Sequence, residues 1–234
     1  KIMAVNATVA NRITDLIGST YSTIPSNSYK DLINAAFNEI ADNMKTELLL
    51  KYSKTPGRLE GETEWLVEDR KILKVTRVDA NSNGIERECK YLDVTEYSQA
   101  KDSASLYYAT AHSPVFTFND KNDGAATLTI FPICNDGGQE GRIWYFTYAL
   151  ATTDLTGVTT ATLNTSYYMP SDSMNALVYK SCYNILTAYL SDQIQDEEDS
   201  ELVNMVSAQI QTFDKLYREE MIRFMDGKPE GKAE

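Results

Sequence analysis

The last third of the chain carries the clearest pattern of apolar positions. In two segments, 174–189 and 202–224, apolar residues recur at spacings of three and four, which predicts two amphipathic helices. The stripe of the first helix is Met174, Leu177, Val178, Cys182, Ile185, Leu186 and Tyr189. The stripe of the second is Leu202, Met205, Val206, Ile210, Phe213, Leu216, Tyr217, Met221 and Phe224. The short acidic connection between the segments predicts an antiparallel helical hairpin.

The first quarter of the chain shows the same helical spacing. Residues 1–19 carry a modest apolar stripe that ends at Gly18. A stronger helix is predicted from Tyr29 to about Leu50, with Ser28 as its N-cap. Because all four predicted helices have an apolar side to bury, the simplest packing is a four-helix bundle.

Between the two helical regions the apolar spacing changes to two, which indicates β-strands. The predicted strands are 65–67, 72–78, 85–92, 114–118, 126–131 and 143–150. Short turn sequences such as Asn81-Ser82-Asn83-Gly84 separate them, which predicts antiparallel pairing. The polar segment 95–105 fits either a loop or a short helix, and the Thr-rich segment 151–167 predicts an extended linker.

The order of these elements predicts an α+β fold in which the N- and C-terminal helices form a four-helix bundle with an inserted antiparallel β unit. The expected divisions are the N-terminal helices, the inserted β unit, a linker with the C-terminal hairpin, and an extended docking tail. Their ranges are 1–55, 56–151, 152–224 and 225–234.

Charge and composition narrow the possible functions. The 234 residues include 22 basic and 34 acidic side chains, a net charge of −12, which argues against a protein that grips phosphates. No apolar run is long enough to span a bilayer and no secretion signal is recognised, so we expect no membrane partner and assembly in the cytoplasm. Three widely spaced cysteines, Cys89, Cys134 and Cys182, indicate reduced thiols and no disulfide framework.

Candidate catalytic residues are few. His112 is the only histidine and Ser113 follows it, but adjacent residues on a strand point to opposite faces, so the two are badly placed to act on each other. No Gly-x-Ser-x-Gly nucleophile elbow is present. We therefore expect no enzymatic activity.

Candidate metal and cofactor sites have simpler explanations. The segment Asp79–Gly84 matches the first half of a calcium loop, but the twelfth position is Lys90 where a bidentate Glu is required. A tight hairpin explains the same residues. The run Asp196–Asp199 reads as a solvated acidic surface, and neither zinc spacing nor a phosphate-binding Gly pattern occurs. We expect no metal and no cofactor.

Three stretches of the chain have a characteristic order and spacing. The first is the helix with Leu32, Ile33, Ala36, Phe37 and Ile40 that leads to Leu48-Leu49-Leu50. The second is the strand series 113–118, 128–132 and 143–148. The third is Met169-Pro170 followed by the helical segment 176–182. In the order and spacing of these pieces, which cover most of the chain, the protein resembles the head-to-tail connector (adaptor) proteins of short-tailed phages.

The resemblance implies a virion protein that forms a homo-oligomeric ring, usually of twelve copies, beneath the portal protein. Such a ring extends the portal channel, retains the packaged genome and receives downstream tail or ring proteins. DNA is expected to pass through the lumen without specific binding, since an acidic wall repels the phosphate backbone. The acidity could alternatively serve only to maintain solubility.

The last ten residues form the candidate partner-binding site. Gly227, Pro229 and Gly231 cannot continue a helix, and the segment holds almost no apolar surface, so it should be disordered in isolation. The resemblance implies that C-terminal segments run against the portal or an adjoining ring. The expected contact residues are Met225, Asp226, Gly227, Lys228, Pro229, Glu230 and Lys232.

A second hypothesis is a binding module, in which the β unit sits on a helical stalk and recognises a glycan or a host receptor. Aromatic residues such as Trp144 and Tyr148 would form its platform. The oligomeric state separates the two: a monomer that binds glycans favours the module, whereas a ring that needs a portal favours the connector.

Overall fold

The structure, a computed structural model, confirms the α+β class and divides the chain into two compact units. The helical unit comprises residues 1–52 and 148–234, and the β unit comprises 53–147. The residues described are 7–18, 26–53, 57–59, 65–67, 69–79, 84–120, 126–134, 139–193 and 200–226.

Most of the helices lie towards the two ends of the chain, and the strands lie between them. The order is α1 (Val9–Ile17), α2 (Ser26–Asn43), α3 (Thr46–Tyr52), β1 (Gly57–Leu59), β2 (Trp65–Leu66), β3 (Arg70–Asp79), β4 (Ile85–Glu88), β5 (Lys90–Tyr91), α4 (Tyr97–Lys101), β6 (Val115–Asp120), β7 (Ala126–Phe131), β8 (Gln139–Thr147), α5 (Thr160–Tyr167), α6 (Met174–Gln193) and α7 (Ser200–Asp226).

Helix α6 is the centre of the helical unit, and it packs against α7, α2 and α1. The predicted pair of C-terminal helices is confirmed, and six of the seven stripe residues of α6 are buried, Tyr189 being half-buried. The predicted four-helix bundle is not confirmed, since the short helices α3 and α5 belong to the same unit.

The apolar stripe of α7 is narrower than predicted. Val206, Phe213, Tyr217 and Met221 are buried along one seam, whereas Met205 is 53% exposed. Met205 precedes Val206 by one residue, a rotation of about 100° around a helix, which carries its side chain off the seam.

The helix predicted from Tyr29 to Leu50 is two helices. Helix α2 already begins at Ser26, so Ser28 lies inside its first turn and is not the N-cap. The chain breaks after Asn43, where the Lys45 carbonyl accepts hydrogen bonds from the amides of Leu48 and Leu49, at 3.0 and 3.2 Å, and so starts α3. The break allows Met44 and Leu49 both to be buried.

The Thr-rich segment is not an extended linker in its second half. Helix α5 begins with a capping box in which the side chains of Thr159 and Thr162 each bond the other's backbone amide. Leu163 is buried, as are Leu155 and Val158 just before the helix. Threonines, which favour caps, start the helix, and these apolar side chains anchor it.

Two asparagines of α2 hold the chain where it re-enters the helical unit. The Asn38 amide group donates to the Ala149 carbonyl at 3.0 Å and accepts from the Ala149 amide at 2.8 Å. The Asn34 side chain donates to the carbonyls of Leu150 and Thr153, at 2.7 and 3.0 Å. The strand predicted to reach residue 150 therefore ends at Thr147.

The β unit contains two four-stranded sheets, with strand orders β1-β8-β3-β4 and β2-β7-β6-β5. All pairs are antiparallel except β5–β6, which is parallel, so the predicted antiparallel unit is mixed. The strand predicted over 85–92 is two strands in different sheets. After β4, the Cys89 amide donates to Val75 of β3, and the next amide, of Lys90, donates to Pro114 before β6.

Alternating side chains of the second sheet enter two separate apolar clusters. Leu128 and Ile130 of β7 join Val75 and Ile143 of the first sheet in the main core, with Phe116 and Phe118 packed against it. Val115 and Phe131, which face the other way, form a smaller cluster with Leu92 and with Ala100 of α4. The two faces of this sheet are therefore built for different neighbours.

Candidate functional site

The structure does not bring the predicted catalytic pair together. His112 and Ser113 lie in a tight turn, not on a strand, and the Ser113 amide donates to the Thr110 carbonyl at 3.1 Å. Both side chains are at least partly exposed, and within the described residues no hydrogen bond joins them. This arrangement lacks the oriented base that nucleophilic catalysis requires.

The candidate calcium loop begins in a hairpin. Asp79 is buried at the end of β3 with the Arg77 guanidinium 4.0 Å away, and the Gly84 amide donates to the Asp79 carbonyl at 3.2 Å. Gly84 has φ +71°, a value that favours glycine. Residues 80–83 lie outside the described residues, as does the acidic run 196–199. No group of three or more His, Cys, Asp or Glu side chains suited to a metal occurs in the part of the chain that the structure describes.

The first two residues of the predicted docking tail belong to a helix. Helix α7 continues through Met225 and Asp226, so these two residues are helical. Residues 227–234, which include Gly227, Lys228, Pro229, Glu230 and Lys232, lie outside the described residues. Among the described helices, none has the length and apolar character needed to cross a bilayer.

Three of the exposed large apolar side chains lie together on one loop of the β unit, including Leu106, the most exposed of those described. We call residues 102–108, which follow α4, the knob. Leu106 is fully exposed (102%), and the next two residues, Tyr107 and Tyr108, are 51% and 44% exposed. Three consecutive large apolar side chains in water are unusual in a protein that functions as a monomer.

Hydrogen bonds within the knob fix its backbone. The Asp102 carboxylate accepts from the Ala104 amide at 2.9 Å, and its carbonyl accepts from the Ser105 amide at 2.9 Å. The Ser105 hydroxyl and carbonyl accept from the amides of Tyr107 and Tyr108, at 3.1 and 3.2 Å. At the base of the knob, the Ala109 amide donates to Ala100 of α4 at 3.1 Å. All of these hydrogen bonds lie within the chain itself.

A groove opens between the two sheets of the β unit where β4 passes into β5. It has a volume of about 690 Å³. Its lining residues are Ile72, Leu73, Lys74, Val75, Glu88, Cys89, Lys90, Tyr91, Phe116 and Phe118. We call this surface the groove.

Three aromatic rings form one wall of the groove. Tyr91, Phe116 and Phe118 contact one another pairwise, with ring centroids 5.6 to 5.9 Å apart. Tyr91 is 57% exposed although its neighbours are half-buried. Burial raises the pKa of the Cys89 thiol in this groove to about 12, so the thiol is protonated and unreactive at neutral pH.

The segment that leads to the knob is acidic, whereas the groove lining has mixed charge. The lining includes Lys74, Lys90 and Glu88, but the Lys74 ammonium lies over the ring of Trp144 and Lys90 pairs with Val115, which faces away from the groove. The segment from residue 93 to the knob carries Asp93, Glu96 and Asp102, while the Lys101 ammonium is held over the rings of Tyr97 and Phe131. Hydrogen bonds from the amide and hydroxyl of Thr95 hold the pKa of Asp93 below its usual value.

The knob and the groove belong to opposite faces of one sheet. Val115 and Phe131, which pair across β6 and β7, support α4 and the base of the knob. Phe116, the next residue along β6, points the other way into the groove beside Tyr91. Side chains alternate in this way because a strand is pleated.

The helical unit has a separate cleft of about 530 Å³ beside the start of α6. Arg12 on its wall is 7% exposed, and its guanidinium donates to neutral oxygens, those of Ala7 and of the Thr160 hydroxyl, at 3.3 and 3.2 Å. Lys51 and Arg223 also line the cleft, but so do Asp172 and Glu220, and Glu220 pairs with Arg223 at 2.7 Å. The mixed charge of this cleft favours no particular ligand.

The two aromatic residues of the binding-module hypothesis lie in different units. Trp144 of β8 carries the Lys74 ammonium 5.5 Å from its ring centroid, in the β unit. Tyr148 belongs to the helical unit, where its hydroxyl donates to the Asp42 carboxylate.

Sequence reasoning missed both the knob and the groove. The knob follows a short helix inside the polar segment 95–105, and its one sequence signal is a run of three large apolar residues directly after Asp102-Ser-Ala-Ser. The groove depends on β4 and β5 lying in different sheets, which the apolar pattern of 85–92 does not indicate. No protein-family model matches this sequence, and no curated protein matches it.

Proposed function

We propose that this protein is a structural, non-enzymatic virion component: a homo-oligomeric ring of twelve copies beneath the portal protein that joins a phage head to its tail. The observation that carries the proposal is the knob, which exposes Leu106, Tyr107 and Tyr108 on a backbone bonded to itself. Such an exposed apolar surface is expected in a protein whose neighbours cover it in the assembled state.

The physical reason is the unfavourable free energy of exposing apolar side chains to water. Exposed apolar side chains favour association, and a backbone already fixed by its own hydrogen bonds loses little conformational freedom on binding. The knob combines both properties. A flexible loop with the same residues would support the proposal much less, because ordering it would offset the gain from burial.

The distribution of charge is compatible with a channel for DNA. The helical unit carries 19 acidic and 11 basic residues, and the β unit 15 acidic and 11 basic. Both units are therefore acidic, and a lumen lined by either would repel duplex DNA, which carries about one charge per 1.7 Å. DNA passes such a wall without specific binding.

The proposed partners are the portal protein on one side and downstream tail or ring proteins on the other. In this proposal the segment 225–234 continues from α7 to an adjoining subunit, with the charges of Lys228, Glu230 and Lys232 as contacts. No cofactor takes part.

The test uses co-sedimentation with phage particles that contain the portal and, as a control, with particles that lack it. We expect the full chain to sediment only with portal-containing particles. A variant truncated after Asp226 should fold normally but fail to attach, whereas a variant with residues 227–234 replaced by a Gly-Ser segment controls for chain length and should fail equally. Attachment of the full chain to both kinds of particle, or to neither, contradicts the connector proposal.

A second candidate function is glycan recognition by the β unit. The aromatic wall formed by Tyr91, Phe116 and Phe118 favours it, since exposed aromatic rings can stack on a sugar. Binding to a glycan array that is lost on Tyr91→Ala, by a chain that remains monomeric, would support the module over the connector.

A further inference from the structure

We propose that the cleft beside the start of α6, in the helical unit, binds an organic carboxylate. The carboxylate group pairs with the Arg12 guanidinium, and the apolar body of the ligand lies against Tyr52 and Phe224. This site uses no residue of the knob or the groove and goes beyond the proposed function. Its failure in the experiment below would leave the connector proposal standing.

Arg12 is a buried cation that lacks a carboxylate partner. Only 7% of the residue is exposed, yet among the described residues its guanidinium forms no ion pair. Its Nε donates to the Ala7 carbonyl at 3.3 Å, and its Nη2 donates to the Thr160 hydroxyl at 3.2 Å. A guanidinium carries five N–H donors, so three remain for another acceptor. Because a buried charge is costly unless it is paired, Arg12 gains more from a bound anion than an exposed arginine would.

The free donors of Arg12 are accessible from the cleft. Arg77 and Arg87 each have an Nη1 atom that is fully buried without a partner, whereas the exposed part of Arg12 belongs to the lining of the cleft. The two Nη groups of a guanidinium form a planar fork that matches the two oxygens of a carboxylate. The hydrogen bonds to Ala7 and Thr160 restrict the orientation of this fork.

The arrangement of charges around Arg12 fits one negative charge. The lining contains three cations and two carboxylates, namely Arg12, Lys51, Arg223, Asp172 and Glu220. Summed over the lining, these charges select no ligand, but Glu220 is bonded to Arg223 at 2.7 Å and Asp172 is exposed to water, which screens it. The buried cation is therefore the unpaired one. A monoanion balances the lining, whereas a phosphate dianion leaves an excess of negative charge.

The start of α6 adds backbone donors to the same cleft. The helix is preceded directly by the turn 171–173, and Pro170 at its cap position provides no side-chain hydrogen bond. Among the described residues, the amides of Ser171 and Asp172 donate no hydrogen bond, and both residues line the cleft. Free amides at the start of a helix favour a bound anion.

The rest of the lining is largely apolar and sets the kind of carboxylate. Helix α3 contributes Leu48 and Tyr52, α6 contributes Met174, and α7 contributes Phe224. The volume of about 530 Å³ lies in the range of sites that hold small organic molecules and is far larger than a bare carboxylate group needs. The ligand class is therefore a monocarboxylate with an apolar or aromatic body.

The test titrates the full chain with four probes in a calorimeter. Phenylacetate carries the carboxylate and an aromatic ring, 2-phenylethanol carries the ring without the charge, acetate carries the charge without the ring, and phenyl phosphate carries a second charge. The variants are Arg12→Met, Arg12→Lys and Lys51→Gln. Lys215→Gln is the matched control, since Lys215 is an exposed cation of α7 outside the cleft lining.

We expect phenylacetate to bind the wild type and the control equally, and more tightly than the other three probes. Arg12→Met should weaken phenylacetate binding by about ten- to hundredfold, the effect of losing charge-assisted hydrogen bonds. Arg12→Lys keeps the charge but loses the planar fork, so it should weaken binding nearly as much. Lys51→Gln should have a smaller effect that shrinks as salt is added. If Arg12→Met fails to fold, the Arg12→Lys and Lys51→Gln variants still decide the matter.

A fifth probe, N-acetylphenylalanine, identifies the source of the carboxylate. It presents the same ring and carboxylate as the end of a peptide chain. Binding tighter than that of phenylacetate assigns the site to a peptide terminus, and equal or weaker binding assigns it to a free acid. Either result supports the site.

Four results would overturn the proposal. The first is a dissociation constant for phenylacetate weaker than about 10 mM with the wild type. The second is equal affinity of phenylacetate for the wild type and for Arg12→Met or Arg12→Lys. The third is equal affinity of the wild type for phenylacetate and 2-phenylethanol, which would make the cleft a purely apolar site. The fourth is tighter binding of phenyl phosphate than of phenylacetate, which would overturn the carboxylate assignment.

Discussion

The helical unit and the β unit of this chain differ in how their exposed large apolar side chains are distributed. In the helical unit, α6 packs against α1, α2 and α7. Among the described residues of this unit, the exposed large apolar side chains are separated along the sequence, at Leu150, Met205 and Ile222. In the β unit three such residues, Leu106 to Tyr108, are consecutive, and Tyr91 stands at the mouth of a groove.

The difference follows from how each kind of element satisfies its backbone. A helix satisfies its backbone amides and carbonyls with its own hydrogen bonds, so it needs only to bury its apolar side against a neighbour. A strand needs a neighbour on each edge. Strand β4 pairs with β3 only over Thr76–Asp79, and β5 pairs with β6 only at Val115 and Phe116, so the sheets part beyond these pairs and the groove opens. One chain thus combines a unit whose helices are packed on their apolar sides with a unit that leaves a cluster of apolar side chains exposed.

The largest expected effect contrasts one residue from each unit. Phe37 of α2 is 1% exposed and packs edge-on against Tyr167, with ring centroids 6.1 Å apart. Phe37→Ala should reduce the free energy of unfolding by about 3–5 kcal/mol, whereas Leu106→Ala should change it by less than about 0.5 kcal/mol. Urea unfolding followed by circular dichroism measures both. A loss of more than about 1 kcal/mol for Leu106→Ala would show that the knob supports the fold of its own chain.

A substitution with an intermediate expected effect tests the hydrogen bonds that hold residues 149–153 against α2. Asn38→Ala removes both hydrogen bonds to Ala149 and leaves a buried backbone amide without a partner, which should cost about 1–3 kcal/mol. Asn175→Ala, on an exposed position of α6, is the matched control and should be nearly neutral. Equal effects of the two substitutions in thermal unfolding would mean that the α2 asparagines contribute nothing specific.

Alkaline pH should weaken the helical unit through its tyrosines. Burial raises the pKa of Tyr29, Tyr148 and Tyr217 to about 12, and the Asp42 carboxylate beside Tyr148 acts in the same direction. Because the unfolded chain loses these protons near pH 10, the stabilisation is complete below pH 10 and is lost as the pH rises from 10 to 12. Tyr217→Phe should make this decline shallower. A stability that is flat from pH 10 to 12 contradicts the assignment.

The smallest expected effect compares two glycines. Gly84 in the β unit has φ +71°, so Gly84→Ala should cost about 1 kcal/mol although no atom lies within 4 Å of the added methyl group. Gly157 in the helical unit is equally open and is not held at a positive φ, so Gly157→Ala should be neutral or slightly stabilising. If both substitutions shift the melting temperature by the same amount, the proposed difference between the two glycines is wrong.

Sequence alone predicted the closed unit better than the open one. The stripe of α6, from Met174 to Leu186, identified a buried helix because a helix repeats its pattern over many turns. The single strand predicted over 85–92 is in fact two strands that separate at Cys89. The prediction missed this because the alternation of apolar residues does not indicate which sheet a strand joins. The Thr-rich segment, predicted to be extended, contains a helix that begins at the Thr159 cap. The low apolar content of the segment made this local capping signal easy to miss.

The candidate site was beyond the sequence for a similar reason. The exposure of Leu106 results from hydrogen bonds of Asp102 and Ser105 that turn the backbone outward, and such a turn can be formed by many sequences. The groove is a gap between two sheets, so no single segment encodes it. The resemblance to connector proteins pointed to an assembly component but not to these surfaces.

The most direct test of the connector account is an averaged electron micrograph of the protein bound to portal-containing particles. The account predicts a closed ring of twelve copies beneath the portal. The wild-type chain should form this ring, and the variant with Leu106→Ser and Tyr107→Ser should leave the portal bare or incompletely covered. Portal-containing particles that never carry such a ring, even with the wild-type chain in excess, would contradict the account.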